Sequence, residues 1–237
     1  MRMTVIQPSY FPSVSELSRI SQADVIVWAN RFIYKKHSTI NRTRIKTVSG
    51  PSWLTIPVLT AGQKRQYINE AVIDQAHFVR HGHLKSIEVS YQNSPYYFFF
   101  ADEIAEIIKK RRQHLGDLLL ETTRFLLKKC RLRAKIVMSS DLPQAKDRTH
   151  RVIQWMKACQ CDEYLVRRHD LPFINASMLA ARTVKIFDFA GLKYHQLFSG
   201  FINDLSGLDL LFNEGEMSAT LLKRAAKLEI HNDGKNF

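Results

Sequence analysis

The first 28 residues most constrain how this chain can fold. A short β-rich run at residues 4–6 is stopped by Gln7-Pro8, and Val25–Trp28 is a continuous apolar run of the kind that buried parallel strands show. Between the two runs, Ser13 and Glu16 have the spacing of a helix N-cap and its capping-box partner. Strand, polar loop, helix and strand predict a βαβ unit. Ligands of such sheets bind beyond the carboxyl ends of the strands, which here means the loop 7–12 and the residues just after Trp28.

The rest of the chain continues the alternation of strand and helix patterns. Strands are predicted at residues 53–58, 67–73, 135–138, 163–166 and 183–187, with a turn signal at Ala61-Gly62. Helices are predicted at 78–91, 97–112, 115–130, 147–158 and 217–228. We therefore expect an α/β fold with a mainly parallel, Rossmann-like sheet. Residues 1–237 are predicted to form a single α/β domain, with 78–133 a helical middle layer, insertion or subdomain.

Positive charge dominates the composition and is unevenly distributed. The 237 residues carry 35 Lys and Arg against 22 Asp and Glu, a net charge of +13, which indicates a polyanionic partner or an anionic substrate. No carboxylate occurs between Asp24 and Glu70. Aromatic residues lie among the bases there, as in proteins that bind single-stranded nucleic acid, although a solvated basic loop with its aromatic residues in the core is the alternative. The bases are Arg31, Lys35, Lys36, Arg42, Arg44, Lys46, Lys64 and Arg65.

The cysteines and apolar segments indicate a cytoplasmic protein. Three cysteines are too few for a disulfide framework, so a reducing compartment is expected. Cys159 and Cys161 lack a second pair of ligands, and no metal site is predicted. No signal peptide or membrane-spanning segment is predicted.

Several short motifs, in order along the chain, resemble the WbqC-like protein family. They are QPSYFP at 7–12, NRTRI at 41–45, GPSWLTIPV at 50–58, His83 with Ile87 and Tyr91, and NDLSGLDLLFNEG at 203–215. That family is associated with bacterial surface-polysaccharide gene clusters, and a related set resembles the amino-acid transferases of phage DNA hypermodification. The resemblance implies attachment of an amino acid or amine to an activated acceptor, which is a sugar in one setting and a pyrimidine base in the other.

The chain departs from the family pattern at two positions. Relatives usually carry an acidic pair after the second strand, where this chain has Trp28-Ala29-Asn30. Residues 166–169 (VRRH) replace a glycine-rich turn. Both changes raise the local positive potential, which suits a phosphate-rich acceptor.

The resemblance and the βαβ geometry together nominate site residues. Gln7, Tyr10 and His83 are the candidate catalytic residues, with His83 a general base or substrate ligand. Turn chemistry for the first two, and packing of a helix on the sheet for His83, are the alternatives. The candidates for binding the acceptor and its phosphates are Arg31, Lys35, Asn41, Arg42, Arg44 and Trp53. Asn30, Asn203 and Asp209 are further candidates, with helix capping the alternative for the last two.

These observations predict a transferase that joins an amino acid, such as glycine, or a related amine to a phosphate-activated acceptor. The acceptor is a pyrophosphorylated or nucleotide-linked group, and no other cofactor is predicted. A hypermodified pyrimidine in DNA is favoured because of the charge. The alternatives are the same chemistry on a nucleotide-linked or amino sugar for a surface polysaccharide, and a non-catalytic module that binds nucleic acid or an anionic glycan. A nucleotidyl-transferring enzyme is a weaker possibility.

Overall fold

A six-stranded, mostly parallel sheet forms the centre of the fold. The computed structural model describes residues 1–60, 62, 65–80, 82–179 and 182–231. The sheet has the strand order β5-β2-β1-β6-β7-β8, in which only β8 is antiparallel to its neighbour. The predicted α/β class with a mainly parallel, Rossmann-like sheet is confirmed. Its strands are β1 (Arg2–Ile6), β2 (Val25–Trp28), β5 (Lys135–Met138), β6 (Glu163–Arg167), β7 (Thr183–Phe189) and β8 (Ala226–Ile230), while β3 (Arg42–Thr47) and β4 (Gly50–Thr55) form a separate hairpin.

Helices cover both faces of the sheet. Four of them lie between β4 and β5 in the chain, where a helical layer was predicted. The helices are α1 (Val14–Ile20), α2 (Gln75–Arg80), α3 (His83–Tyr91), α4 (Tyr97–Lys109), α5 (Leu115–Lys129), α6 (Arg148–Ala158), α7 (Gly207–Glu214) and α8 (Ser218–Arg224). None of the helices in the described part of the chain has the length and apolar character that a membrane crossing requires.

Alternating side chains on the strands feed two apolar cores. On β1, Met3 packs into a core that contains Trp155 of α6, and Ile6 packs into a larger core that contains Leu17 of α1. All four side chains are nearly or completely buried. Because α1 and α6 cover opposite faces, the chain winds in opposite directions from β1, and the neighbouring carboxyl ends of β1 and β6 form a topological switch point.

Four sequence predictions need correction. The basic stretch after β2 was expected to be a loop, but half of it is the β3–β4 hairpin. Residues 67–73 form isolated bridges and turns rather than a strand, because they pair with three different segments. The helix predicted at 78–91 is two helices, and the one at 217–228 ends at Arg224, after which β8 pairs with β7. Ala61, Lys64 and residues 232–237 lie outside the described residues.

Candidate functional site

A cleft of about 440 Å³ opens at the carboxyl end of the sheet, beside the switch point. Its walls come from the loop after β1, the first turn of α1, the β3–β4 hairpin, the end of β6 and the segment before α7. The hairpin is held there because Ser206 donates a backbone hydrogen bond of 2.8 Å to Arg44, and Thr43 Oγ1 donates one of 3.0 Å to the carbonyl of Phe11. Segments far apart in sequence therefore meet at the place where α/β sheets bind ligands.

Two arginines and a tryptophan share one face of the hairpin. Arg44 lies directly opposite Trp53 in the antiparallel register, and Arg42 is two residues away on the same face. The guanidinium carbons lie 4.2 Å (Arg42) and 5.7 Å (Arg44) from the centroid of the Trp53 ring, within the range of cation–π contacts. Trp53 is 44% exposed. The hairpin thus presents two cations and an accessible stacking surface to the cleft.

The two arginines differ in how they are held. Arg44 Nη2 donates to the carbonyl oxygens of Asp204 at 3.1 Å and Asn203 at 3.4 Å. Arg42 Nε is buried and has no hydrogen-bond acceptor among the described residues. A buried donor without an acceptor is costly, so a ligand anion in the cleft would complete its bonding.

Serine hydroxyls and a carboxylate form the opposite wall. Ser15 donates to Asp204 through its backbone N–H and its hydroxyl, both at 2.8 Å. Ser13 caps α1 by accepting a hydrogen bond of 3.4 Å from the Glu16 N–H. Ser9 and Ser206 also line the cleft. These hydroxyl groups can donate to phosphate or sugar oxygens.

Arg167, the last residue of β6, adds a third guanidinium at the switch point. Its Nε donates to Asp170 Oδ2 at 2.9 Å, and its Nη1 lies 4.0 Å from Glu16 Oε2. Burial alone would raise the pKa of Asp170, but Arg167 and Arg148 outweigh it and hold that pKa below its usual range. Asp170 therefore stays ionised and fixes Arg167 beside the cleft.

The predicted catalytic pair Tyr10 and His83 is brought together, but in the core. Tyr10 is fully buried, His83 is 3% exposed, and the Tyr10 hydroxyl lies 3.1 Å from His83 Nδ1. His83 Nε2 lies 3.1 Å from the Thr55 carbonyl oxygen. A carbonyl only accepts, so we assign the hydrogen to Nε2, and Nδ1 accepts from Tyr10. Burial raises the pKa of the Tyr10 hydroxyl. This geometry ties the loop after β1 to the hairpin, while Gln7 is exposed at the cleft.

The remaining candidates are spread over several places. Asn41 is buried, and its Nδ2 donates to the Ile56 carbonyl at 2.7 Å. Asn30 Oδ1 accepts from Ser139 Oγ at 2.9 Å and joins the end of β2 to the turn after β5. Asn203 reaches the cleft rim only through its carbonyl.

Asp209, Arg31 and Lys35 do not line the cleft. Asp209 is fully buried and accepts hydrogen bonds from Tyr91 at 2.9 Å and Tyr194 at 2.6 Å. Burial raises the pKa of Asp209 despite these bonds. Arg31 lines a separate cavity, and Lys35 is exposed.

Sequence reasoning did not nominate several residues of the cleft. Ser15 and Asp204 are 189 positions apart, and neither lies in a pattern that indicates their contact. Arg167 had a usable signal, because it ends a strand adjacent to β1 in a parallel sheet. Among the described residues, no three His, Cys, Asp or Glu side chains are grouped so that they could hold a metal ion.

The comparisons with known proteins identify the family. Residues 7–220 match the WbqC-like protein family, a range that begins at the first cleft residue and includes both arginines of the hairpin. The chain belongs to the WbqC-like protein family. An uncharacterized protein of Mycobacterium tuberculosis, Rv1507c, is 27% identical over 228 residues, which cover 94% of this chain and 97% of that protein. No solved structure gives a significant match. The order of motifs that suggested the WbqC-like family is therefore supported over nearly the whole chain.

Proposed function

We propose that this WbqC-like protein is a transferase that joins an amino acid or a related amine to a phosphate-activated acceptor bound in the cleft. The observation that carries the proposal is the convergence of Arg42, Arg44 and Arg167 at the switch point, where Arg42 retains a buried donor without an acceptor in the described chain. Guanidinium groups bind phosphate oxygens through paired hydrogen bonds.

The chemistry requires charge stabilisation at the leaving group and a base for the amine. The amine nitrogen attacks the acceptor carbon, the C–N bond forms, and the C–O bond to the diphosphate breaks with its electron pair on the diphosphate. The arginines stabilise the charge that develops there. The nitrogen then loses a proton. Glu16 suits this role because it lines the cleft and its Oε2 lies 4.0 Å from Arg167 Nη1, beyond hydrogen-bond distance.

The cleft suits an acceptor the size of one nucleotide. Its volume of about 440 Å³ is in the range of small-molecule sites. The exposed ring of Trp53 offers a stacking surface for a base. For DNA, these features favour a hydroxymethylpyrimidine extruded from the stack or present in a single strand. A nucleotide-linked sugar is the second candidate, favoured by the same volume.

The test measures transfer to each acceptor. The protein is incubated with glycine and with DNA that carries pyrophosphorylated hydroxymethylpyrimidines, or with a nucleotide-linked sugar, and the products are analysed by mass. We expect an amine adduct on one of the two, and at least a tenfold loss of turnover in Arg42→Gln. Arg111→Gln, at an exposed arginine outside the cleft, is the matched control. The absence of adduct with a panel of amines on both acceptors would contradict the proposal.

A non-catalytic binding role is distinguished by the same variant. It is favoured by Asn30, which stands where relatives carry a carboxylate, and by the burial of His83 away from the cleft. A pure binder loses acceptor affinity in Arg42→Gln but yields no adduct in either form. A transferase loses turnover even at saturating acceptor.

A further inference from the structure

A second group of arginines lines another cavity at the same end of the molecule. Arg31, Arg65 and Arg151 surround a cavity of about 330 Å³, and no carboxylate is among the described residues that line it. Within the described chain, none of the three arginines forms an ion pair with a carboxylate. Three like charges around one concavity repel each other, and an anion there would relieve the repulsion.

The fold holds these arginines in place. Segments 31–34 and 66–68 are paired, because Tyr34 N–H donates to the Gln66 carbonyl at 2.9 Å and Ile68 N–H donates to the Phe32 carbonyl at 3.0 Å. This pairing brings Arg31 and Arg65 to one side of the cavity, and α6 supplies Arg151.

Aromatic rings lie against two of the three guanidinium groups. Arg31 lies 5.8 Å from the ring centroid of Tyr67. Arg151 lies 5.8 Å from that of Phe32 and 5.6 Å from that of Trp155. Stacked guanidinium groups keep their N–H edges available for phosphate oxygens. Tyr67 is 37% exposed and so offers a second stacking surface, separate from Trp53.

The two arginine cavities are joined by a third. A middle cavity of about 280 Å³ shares Gln7 and Arg167 with the main cleft, and it shares Phe32 and Arg151 with the outer cavity. The three cavities therefore form a continuous series along the carboxyl edge of the sheet, with arginines in each. One long ligand can occupy such a series, whereas a compact diphosphate fits one cavity.

We propose that the outer cavity is a second phosphate-binding subsite, which takes a backbone phosphate of a single-stranded nucleic acid whose reacting nucleotide lies in the main cleft. The inference rests on the proposed function for the identity of the acceptor, but its geometry does not depend on catalysis. The strand would run from Trp53 to Tyr67, with phosphates on the arginines and bases on the exposed rings, as in single-strand binding grooves.

The salt dependence of binding tests the proposal. A fluorescent thymidine decamer is titrated against the wild type and against Arg31→Gln with Arg151→Gln, at several salt concentrations. Loss of two phosphate contacts should weaken binding severalfold and make the slope of log K against log salt shallower by about 1.4. The matched control is Arg111→Gln with Arg124→Gln, which removes two exposed arginines that line none of the three cavities. A control slope close to that of the wild type is expected.

Small anions separate the subsite from the main cleft. Pyrophosphate binding should be weakened by Arg42→Gln and unaffected by the outer pair of substitutions. If the outer pair leaves the decamer slope unchanged, or weakens pyrophosphate as much as the decamer, the proposal is overturned. Arg31→Gln alone, at an exposed residue, provides the same readout with a slope change of about 0.7 if the double variant folds poorly. Failure to form an amine adduct, with the slope change present, overturns the proposed transferase but not the subsite.

Discussion

At the scale of single residues, the buried Tyr10–His83 pair shows how a functional candidate becomes a structural one. Both residues lie in the family motifs, and both are of types that carry catalytic protons. Yet the Tyr10 hydroxyl lies against His83 in the core, and His83 contacts the Thr55 carbonyl at the end of β4. The pair therefore sets the position of the loop and the hairpin that form the cleft, rather than meeting the substrate.

Tyr10→Phe tests this role. The substitution removes one buried hydrogen bond while keeping the ring, so we expect the free energy of unfolding to fall by about 1 kcal/mol. Urea denaturation measures it. Tyr96→Phe is the control, because that hydroxyl forms no hydrogen bond with the described residues. Unchanged stability together with a large loss of turnover would instead support a catalytic role for Tyr10.

Asp170 gives a prediction about acid stability. Its pKa is held below the usual range by Arg167 and Arg148, against the effect of burial, so the folded state favours the ionised form. This contribution is fully present above the unfolded pKa of about 3.9 and is lost as the pH falls through the lower folded value. In Asp170→Asn we expect stability at neutral pH to fall by about 1–2 kcal/mol, after allowance for partial exposure.

The measurement for Asp170 is the unfolding free energy between pH 2.5 and 7. The variant should lose less stability than the wild type as the pH is lowered, so the two curves should converge at the acid end. Asp102→Asn, which removes an exposed carboxylate of α4, is the matched control. Parallel curves for wild type and Asp170→Asn would show that the two arginines do not stabilise the ionised carboxylate.

At the scale of elements, the sequence predicted what local periodicity encodes. β1, α1 and β2 were predicted because a continuous apolar run and a capping box are local signals, and Ser13 does cap α1. The β3–β4 hairpin was missed as a pair because its strands alternate weakly and carry bases on the exposed face. Its registration of Arg44 opposite Trp53 is what forms the cation wall of the cleft, and no spacing in one strand specifies a cross-strand register.

The junction of α1 and α7 depends on a glycine. A Cβ at Gly207 would collide with Leu17 Cδ1 and would lie 3.0 Å from both Leu126 Cδ1 and the Pro12 carbonyl oxygen. Gly207→Ala should therefore lower the unfolding free energy by about 1–3 kcal/mol through overpacking.

A double-mutant cycle with Leu17→Val assigns the cause at Gly207. Shortening Leu17 removes part of the collision, so the cost of Gly207→Ala should be smaller in that background. Denaturant unfolding of the four proteins gives the coupling energy. Additive costs would mean that the backbone contact with Pro12, rather than Leu17, limits the space.

At the scale of the whole molecule, the charge of +13 is not spread as the sequence suggested. The bases after β2 have three fates: Arg42 and Arg44 line the main cleft, Arg31 and Arg65 line the outer cavity, and Lys46 is buried. Lys46 Nζ donates to the Phe198 and Gly200 carbonyls, so it fixes the segment before α7. A charge count cannot separate these fates, because each depends on which distant segment packs beside the base.

The concentration of arginines along one edge predicts a specific response of the whole fold to anions. Sodium chloride should raise the melting temperature modestly, because it screens repulsion in a chain with a net charge of +13. Millimolar pyrophosphate should raise it further than chloride of equal ionic strength, because a ligand that binds only the folded state stabilises that state. Arg42→Gln should reduce the increment specific to pyrophosphate and leave the chloride response unchanged, whereas Arg111→Gln should retain both. Equal effects of pyrophosphate and ionic-strength-matched chloride on the wild type would mean that the cleft has no phosphate site and that the charge acts only through screening.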